Sequence, residues 1–267
     1  MANCNHDCGS CGADCAERVE IKPTDDTKIN KIIGVLSGKG GVGKSMISSL
    51  LAIALAEKGY RVGILDADIT GPSIPKMFGL SGQLYGDELG VFPATTTLGI
   101  KVVSVNMMLQ NEDDAVLWRG PILGGVLRQF YSEVHWGELD YLLIDMPPGT
   151  SDIAISVIQD IPVDQFVMVT TPSKLVSMVV GKAINMTKQV NKPVVGLVEN
   201  MAYVKCDKCG NEINIYTNDE TQNVAEKYGI EVLAKLPLDP ELANSADEGR
   251  IEDCDVSLLE KLVEKIK

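Results

Sequence analysis

The sequence predicts an α/β fold: one doubly wound domain over residues 31–267, a mostly parallel sheet with helices on both faces, and a short cysteine-rich tail over residues 1–30. Two observations carry this reading. Short apolar runs alternate with longer helical patterns along the chain after residue 30. The first run and the first helical pattern are separated by a glycine-rich turn, so strand, turn, helix and strand follow within one βαβ unit. Such a crossover is right-handed and its strands are parallel.

Each element has its own signal. Lys31–Ser37 (KIIGVLS) is a short apolar run of the kind a buried strand needs. Met46–Lys58 (MISSLLAIALAEK) is apolar enough for a helix packed on a sheet, and Gly59 stands where a helix-ending glycine belongs. Arg61–Asp66 (RVGILD) is the next strand. Further strands are expected at Ile100–Ser104, Tyr141–Asp145, Gln165–Thr170, Pro193–Glu199 and Glu231–Lys235. Helices are expected at Pro121–Val134, Ile153–Asp160, Lys174–Val190, Asp219–Tyr228, Pro240–Glu248 and Val256–Ile266. Ser81–Leu98, with Gly82, Gly86, Gly90 and Pro93, reads as an irregular excursion or hairpin.

Composition narrows the function. The 267 residues include 24 Lys+Arg against 37 Asp+Glu, a net charge of -13 that repels polyanions, so nucleic acid is not an expected partner. No apolar run reaches the roughly 20 residues of a membrane span. The polar, cysteine-bearing stretch Met1–Ser10 lacks the apolar core of a secretory signal. A cytoplasmic location is therefore expected, without membrane attachment, where cysteines serve as thiols or metal ligands.

Gly38-Lys39-Gly40-Gly41-Val42-Gly43-Lys44-Ser45 matches G-x-x-x-x-G-K-[ST] between a strand and a helix. By chance the four fixed positions occur in about one chain in a hundred of this length. Glycines let successive backbone N–H groups turn toward phosphate oxygens, and the helix N-terminus adds positive potential. Lys44 would neutralise the β- and γ-phosphates, Ser45 would offer its hydroxyl to Mg²⁺, and Met46 lies directly behind the loop. Lys39 is either a solvated loop lysine or, in a face-to-face dimer, a cation for the partner's nucleotide.

Two acidic sites follow at strand ends, Asp66-Ala67-Asp68 and Asp145-Met146-Pro147-Pro148-Gly149-Thr150. Carboxylates there face the same crevice as the phosphate loop. Asp145 suits a Mg²⁺-bound water, Asp68 the orientation of an attacking water, and Gly149 a backbone N–H contact to the γ-phosphate. A helix cap is the plainer role for any one of these aspartates. Only His6 and His135 occur, away from these motifs, so histidine acid–base chemistry is not expected.

Cys206-Asp207-Lys208-Cys209 supplies two thiols where a tetrahedral or cluster site needs four. The rest come from the tail or from the same pair on a second subunit across a two-fold axis. A structural zinc knuckle is the third reading. Cys4, Cys8, Cys11 and Cys15 form a complete ligand set for one [4Fe-4S] cluster or one zinc, with His6 among them. Cys254 has no sequence neighbour of its kind and reads as a small packed residue.

These residues resemble the Mrp/ApbC-type iron–sulfur cluster carriers, in the deviant Walker A branch of P-loop ATPases with MinD, ParA and the nitrogenase iron protein. The resemblance runs in family order through SGKGGVGKS (Ser37–Ser45), DADITGPSIPKMFG (Asp66–Gly79), WRGP (Trp118–Pro121), IDMPPGTSD (Ile144–Asp152), TTPS (Thr170–Ser173), ENMAY with C-x-x-C (Glu199–Cys209) and LPLDPEL with ADEG (Leu236–Gly249). It implies a homodimer with ATP at the interface and Lys39 reaching across it. It also implies a hydrolytic role for Asp68, Asp145 as the Walker B aspartate, Asn200 at adenine, and Pro237, Leu238 and Asp239 beside the base. Cys206 and Cys209 match the pair that, with the partner's pair, bridges a transferable [4Fe-4S] cluster. The family usually has proline after the first of these cysteines, where this chain has Asp207.

The expected function is thus a Mg²⁺- and ATP-dependent carrier that receives a [4Fe-4S] cluster from an assembly scaffold and delivers it to apo-proteins. Two alternatives stand beside it: an ATP-driven electron donor with a fixed bridging cluster, and a positioning ATPase like MinD. The MinD reading needs a membrane-binding C-terminus. Leu258–Lys267 is amphipathic, but Glu260 and Glu264 interrupt its lysines, which favours a core-packed helix.

Overall fold

The computed structural model describes residues 21–68, 71, 73–87, 90–108, 120–216 and 220–267. Its first half comprises β1 (Lys28–Ser37), α1 (Lys44–Glu57), β2 (Val62–Asp66), α2 (Ile74–Met77), β3 (Gly86–Asp87), β4 (Gly90–Val91), β5 (Ala94–Thr95), β6 (Lys101–Ser104) and α3 (Gly120–Ser132). The second half comprises β7 (Glu138–Asp145), α4 (Asp152–Asp160), β8 (Gln165–Thr170), α5 (Lys174–Gln189), β9 (Val194–Glu199), β10 (Tyr203–Lys205), β11 (Glu212–Asn214), α6 (Glu220–Tyr228), β12 (Val232–Lys235), α7 (Pro240–Asp247) and α8 (Glu260–Ile266).

Eight strands form one sheet in the order β12-β9-β8-β1-β7-β2-β6-β5. All neighbours are parallel except β5, which runs antiparallel to β6. Winding reverses around β1, and right-handed crossovers then place α1 and α5 on opposite faces. Ligands bind such sheets beyond the carboxyl ends of the strands, at the reversal. The phosphate loop, Asp66, Asp145 and the segment after β9 all stand at that edge.

The core is continuous across both faces. Every residue of α1 from Ile47 to Leu55 is buried, which explains why apolar residues occur all round this helix, with only Ser48 and Ser49 between them, rather than on one face. Its end is set by Gly59, whose φ of 86° suits a residue without a Cβ. There Tyr60 N–H donates to Leu55 O and Gly59 N–H to Ala56 O, satisfying carbonyls the helix leaves open. Trp136 is fully buried and its indole N–H donates to Phe130 O at 3.0 Å.

The strand and helix expectations hold within a few residues, with three informative differences. β1 starts at Lys28, before the expected Lys31, because its first residues pair with Glu138 and Leu139 of β7 although their side chains are exposed or half-buried. α1 starts at Lys44 rather than Met46, since the loop's last glycine leads straight into the helix. The expected helix over Val256–Ile266 opens as a single 3-10 turn at Ser257–Leu259 before α8. The excursion at Ser81–Leu98 holds the β3–β4 hairpin and the edge strand β5.

Candidate functional site

The phosphate loop closes around a cavity of about 350 Å³ lined by Gly40, Gly41, Lys44, Ser45, Asp68 and Pro148, among others. Its volume lies within the range of small-molecule sites. Gly38 and Val42 are buried, Lys39, Gly40 and Gly41 exposed, and Met46 is half-buried against the core.

Asp145 organises the floor. It ends β7, opposite Val35 of β1 and Asp66 of β2. Its Oδ2 accepts from Lys44 Nζ at 2.6 Å and from Ser45 Oγ at 2.6 Å, and its Oδ1 accepts from Ser48 Oγ at 2.6 Å. Lys44 Nζ also lies 3.5 Å from Asp68 Oδ2. The sequence-derived Lys44, Ser45, Asp68 and Asp145 therefore meet at one point. Hydroxyl and carboxylate oxygens of this kind suit Mg²⁺, so the donor set fits that ion.

Two contributors, Ser48 and Ser104, escape motif reasoning, and the strand-end Asp66 takes an environment the motif does not announce. Ser48, fully buried, lies one helical turn beyond Lys44, and that spacing was the available signal. Asp66 is buried beside Asp145, and burial followed by that neighbouring charge pushes its carboxyl up to about 8. Ser104 Oγ–H donates to Asp66 Oδ2 at 3.1 Å, and Asp68 N–H donates to Asp66 Oδ1 at 3.2 Å. The Ser104 contact depends on β6 pairing with β2, which no local motif announces.

Gly149 N–H donates to Ser37 O at 2.8 Å, so contact with a phosphate would require the loop to release that bond. Asn200 is buried, and its Nδ2 donates to Val42 O at 3.0 Å. Gly43 is required there: its φ is 81°, and a Cβ would stand 2.2 Å from Asn200 Nδ2. Of the expected base loop, Leu238 is exposed and Asp239 caps α7, accepting from Glu241 N–H at 2.8 Å.

Cys206 and Cys209 occupy the turn between β10 and β11, a turn rather than a helix start, as Gly210 and Asn211 suggest. Cys206 N–H donates to Asn211 O at 2.9 Å and Gly210 N–H to Cys206 O at 2.8 Å. The backbone N–H groups of Lys208 and then Cys209 hold the Cys206 thiol below the usual cysteine range. Thiolate character is what a metal ligand needs. Among the described residues no third ligand gathers at this turn. Cys4, His6, Cys8, Cys11, Cys15, Trp118 and Arg119 lie outside the described residues. Cys254 is half-buried against the core, and burial pushes its thiol up.

The family model for NUBPL iron-transfer P-loop NTPases matches residues 28–267. An iron-sulfur cluster carrier protein of Clostridium perfringens is 44% identical over 92% of this chain and 90% of its own. Another, of Methanocaldococcus jannaschii, is 39% identical over 100% and 99%. A nucleotide-binding protein of Archaeoglobus fulgidus, solved in complex with ADP, superposes with a TM-score of 0.78 at 43% identity, covering 87% of this chain and 91% of that one. The cell division ATPase MinD of Pyrococcus furiosus, at 22% identity and a TM-score of 0.62 over 89% and 98%, shares the fold. The chain belongs to the NUBPL iron-transfer P-loop NTPases, the family of these iron–sulfur cluster carriers.

Proposed function

We propose that the protein is a homodimeric, Mg²⁺-dependent ATPase that holds a [4Fe-4S] cluster between the Cys206–Cys209 turns of two copies and passes it to apo-proteins. The observation that carries this reading is the turn itself. It offers two thiols, one held toward thiolate by backbone N–H groups, on the hairpin that follows β9 and Asn200, the residue that hydrogen-bonds the phosphate loop. Two thiols are half of a cluster's ligand set, and a second copy supplies the other half by symmetry.

Within the cradle, Lys44 would bind phosphate oxygens, Ser45 and Asp145 would hold Mg²⁺ and its water, and Asp68 would orient the attacking water. Mg²⁺ supplies charge neutralisation on the phosphates when bound. The exposed Lys39 is free of the pocket floor and would serve the partner's nucleotide. Asn200 and Pro237–Asp239 would border adenine. The tail cysteines Cys4, Cys8, Cys11 and Cys15 would form a second metal site. Cytoplasmic apo iron–sulfur proteins and an assembly scaffold are the partners this chemistry requires.

Replacing Cys206 and Cys209 together by Ala tests the reading. Nucleotide affinity should persist, while transfer of a cluster to an apo-protein acceptor disappears. Normal transfer by that variant would overturn the assignment. Lys44→Ala should abolish nucleotide binding in calorimetry, and unchanged affinity would remove the phosphate site. Reversible reduction of the bound cluster without its loss to an acceptor would favour a fixed electron-donor role instead.

A further inference from the structure

We infer that Asn200 and Met201 are positioning residues that carry the state of the phosphate loop to the Cys206–Cys209 turn. The inference rests on the carrier reading and adds the path by which its two sites communicate.

The path begins at Val42, in the middle of the phosphate loop. Its carbonyl accepts from Asn200 Nδ2 at 3.0 Å, and Asn200 N–H donates to Thr170 O at 2.8 Å. Asn200 thus ties the loop after β1 to the ends of β8 and β9. Contact is close enough that only a glycine fits at position 43, and the Met201 side chain would lie 3.8 Å from a Cβ there. A phosphate that draws the loop's N–H groups toward itself rotates the peptide units to which they belong. The Val42 carbonyl then either drags Asn200 with it or loses a buried hydrogen bond.

Met201 is the next residue and has a φ of 54°. Side chains with a Cβ adopt this left-handed conformation only at a cost, so the backbone here is strained. Met201 lies between anchored segments, at a loop position of the kind that absorbs backbone rotation when neighbouring parts shift. Beyond it, Ala202 N–H donates to Leu236 O at 2.9 Å, and Leu238 N–H donates to Tyr203 O at 2.7 Å. Those two bonds fasten the hairpin base to the segment running into Pro237–Asp239. Phosphate-facing and base-facing loops therefore converge on Ala202 and Tyr203. From there the hairpin is paired rung by rung, Tyr203 with Asn214, Val204 with Ile213 and Lys205 with Glu212, up to the Cys206–Asn211 bond. A tilt at its base moves the thiols as one body.

The test uses the full-length, reduced protein without cluster. Iodoacetamide alkylation is followed at each cysteine by peptide mass spectrometry, with and without saturating Mg·ATP, and nucleotide affinity is measured separately by calorimetry. In the parent, nucleotide should change the Cys206 rate by about fivefold while leaving Cys254 unchanged. Met201→Gly removes the strain and lets the hairpin swing independently. It should keep the parental nucleotide affinity and lose the Cys206 response, whereas Met201→Ala, which keeps the left-handed strain, should retain it. A parent that binds nucleotide without altering Cys206, or Met201→Gly with the parental response, would overturn the inference. Lost affinity in Met201→Gly would overturn it too, by placing Met201 inside the binding site. A parent that binds no nucleotide at all would instead sink the carrier reading.

Discussion

The Lys44 ammonium lies 2.6 Å from the Asp145 carboxylate, and neither side chain is more than 5% exposed. The cation that should meet a phosphate is in contact with the chain's own carboxylate. An incoming nucleotide competes with Asp145 for Lys44, and Mg²⁺ relieves that competition by giving Asp145 another positive partner. Asp145→Asn should therefore raise affinity for Mg-free ADP by tenfold or more, since a charge pair this close is worth about 1 kcal/mol even at the dielectric of water and about 4 kcal/mol at an intermediate one, and should abolish the gain from adding Mg²⁺. Calorimetry with EDTA and with Mg²⁺ measures both. An unaltered Mg²⁺ dependence would show that Asp145 does not hold the ion.

Asp66 gives the protein a pH dependence of definite sign. Its folded carboxyl is pushed up to about 8 by burial and by Asp145, far above the unfolded range. Between roughly pH 4 and pH 8 the folded state binds a proton that the unfolded state has released. Stability from this group is complete below pH 4 and is lost as pH rises through 8. Asp66→Asn imitates the protonated form and should flatten the profile. At about 2–4 °C of Tm per kcal/mol for a chain near this size, the flattening is visible by calorimetric scans at pH 5 and pH 8. A variant whose Tm difference between the two pH values equals the parent's would refute the assignment.

Gly43→Ala should destabilise by two separable effects. The added Cβ meets Asn200 Nδ2 at 2.2 Å, and the φ of 81° disfavours any Cβ. The backbone part costs about 1–2 kcal/mol. In an Asn200→Ala background the collision vanishes and only the backbone part remains, so the two substitutions should be non-additive in urea unfolding. Strict additivity would mean that the side chains do not meet.

The last helix, α8, turns its apolar face to the core. Leu262, Val263 and Ile266 of α8 are fully buried, while Lys31 Nζ and Gln165 Nε2 both donate to Ile266 O, at 3.0 and 3.1 Å. The apolar face is already used by the core, and a cation caps the helix end. Leu262→Ala should therefore cost about 2–5 kcal/mol of stability. In flotation with anionic vesicles the parent should stay unbound with or without nucleotide. Flotation would mean that α8 leaves the core.

Much of this was legible in the sequence because it is local. The phosphate loop is eight consecutive residues, and its lysine, its serine and the two strand-end aspartates meet where the motif places them. Alternating apolar runs announced β7 and β8, since strands buried on both faces need unbroken apolar residues. What stayed hidden depends on strands distant in sequence. Ser104 reaches Asp66 only because β6 lies beside β2, and Asn200 reaches Val42 only because β9 lies two places from β1. Met201 carried no signal at all, because methionine has no preference for a positive φ. The strain there is imposed by the anchors on either side.

The hairpin makes a last, quantitative distinction between cysteines. Cys206 is held low by the N–H groups of Lys208 and Cys209, whereas burial raises Cys254. Since the thiolate is the reacting form, the pH midpoint of alkylation should lie below the usual cysteine value for Cys206 and above it for Cys254. Lys208→Pro deletes the backbone N–H that does most to hold the thiol low and should move the Cys206 midpoint upward while leaving Cys254 in place. Lys208→Ala removes the positive side chain but keeps the N–H, and should leave both midpoints where they are. If Lys208→Ala shifted Cys206 as far as Lys208→Pro does, the side-chain charge and not the folded turn would be setting the thiol's reactivity.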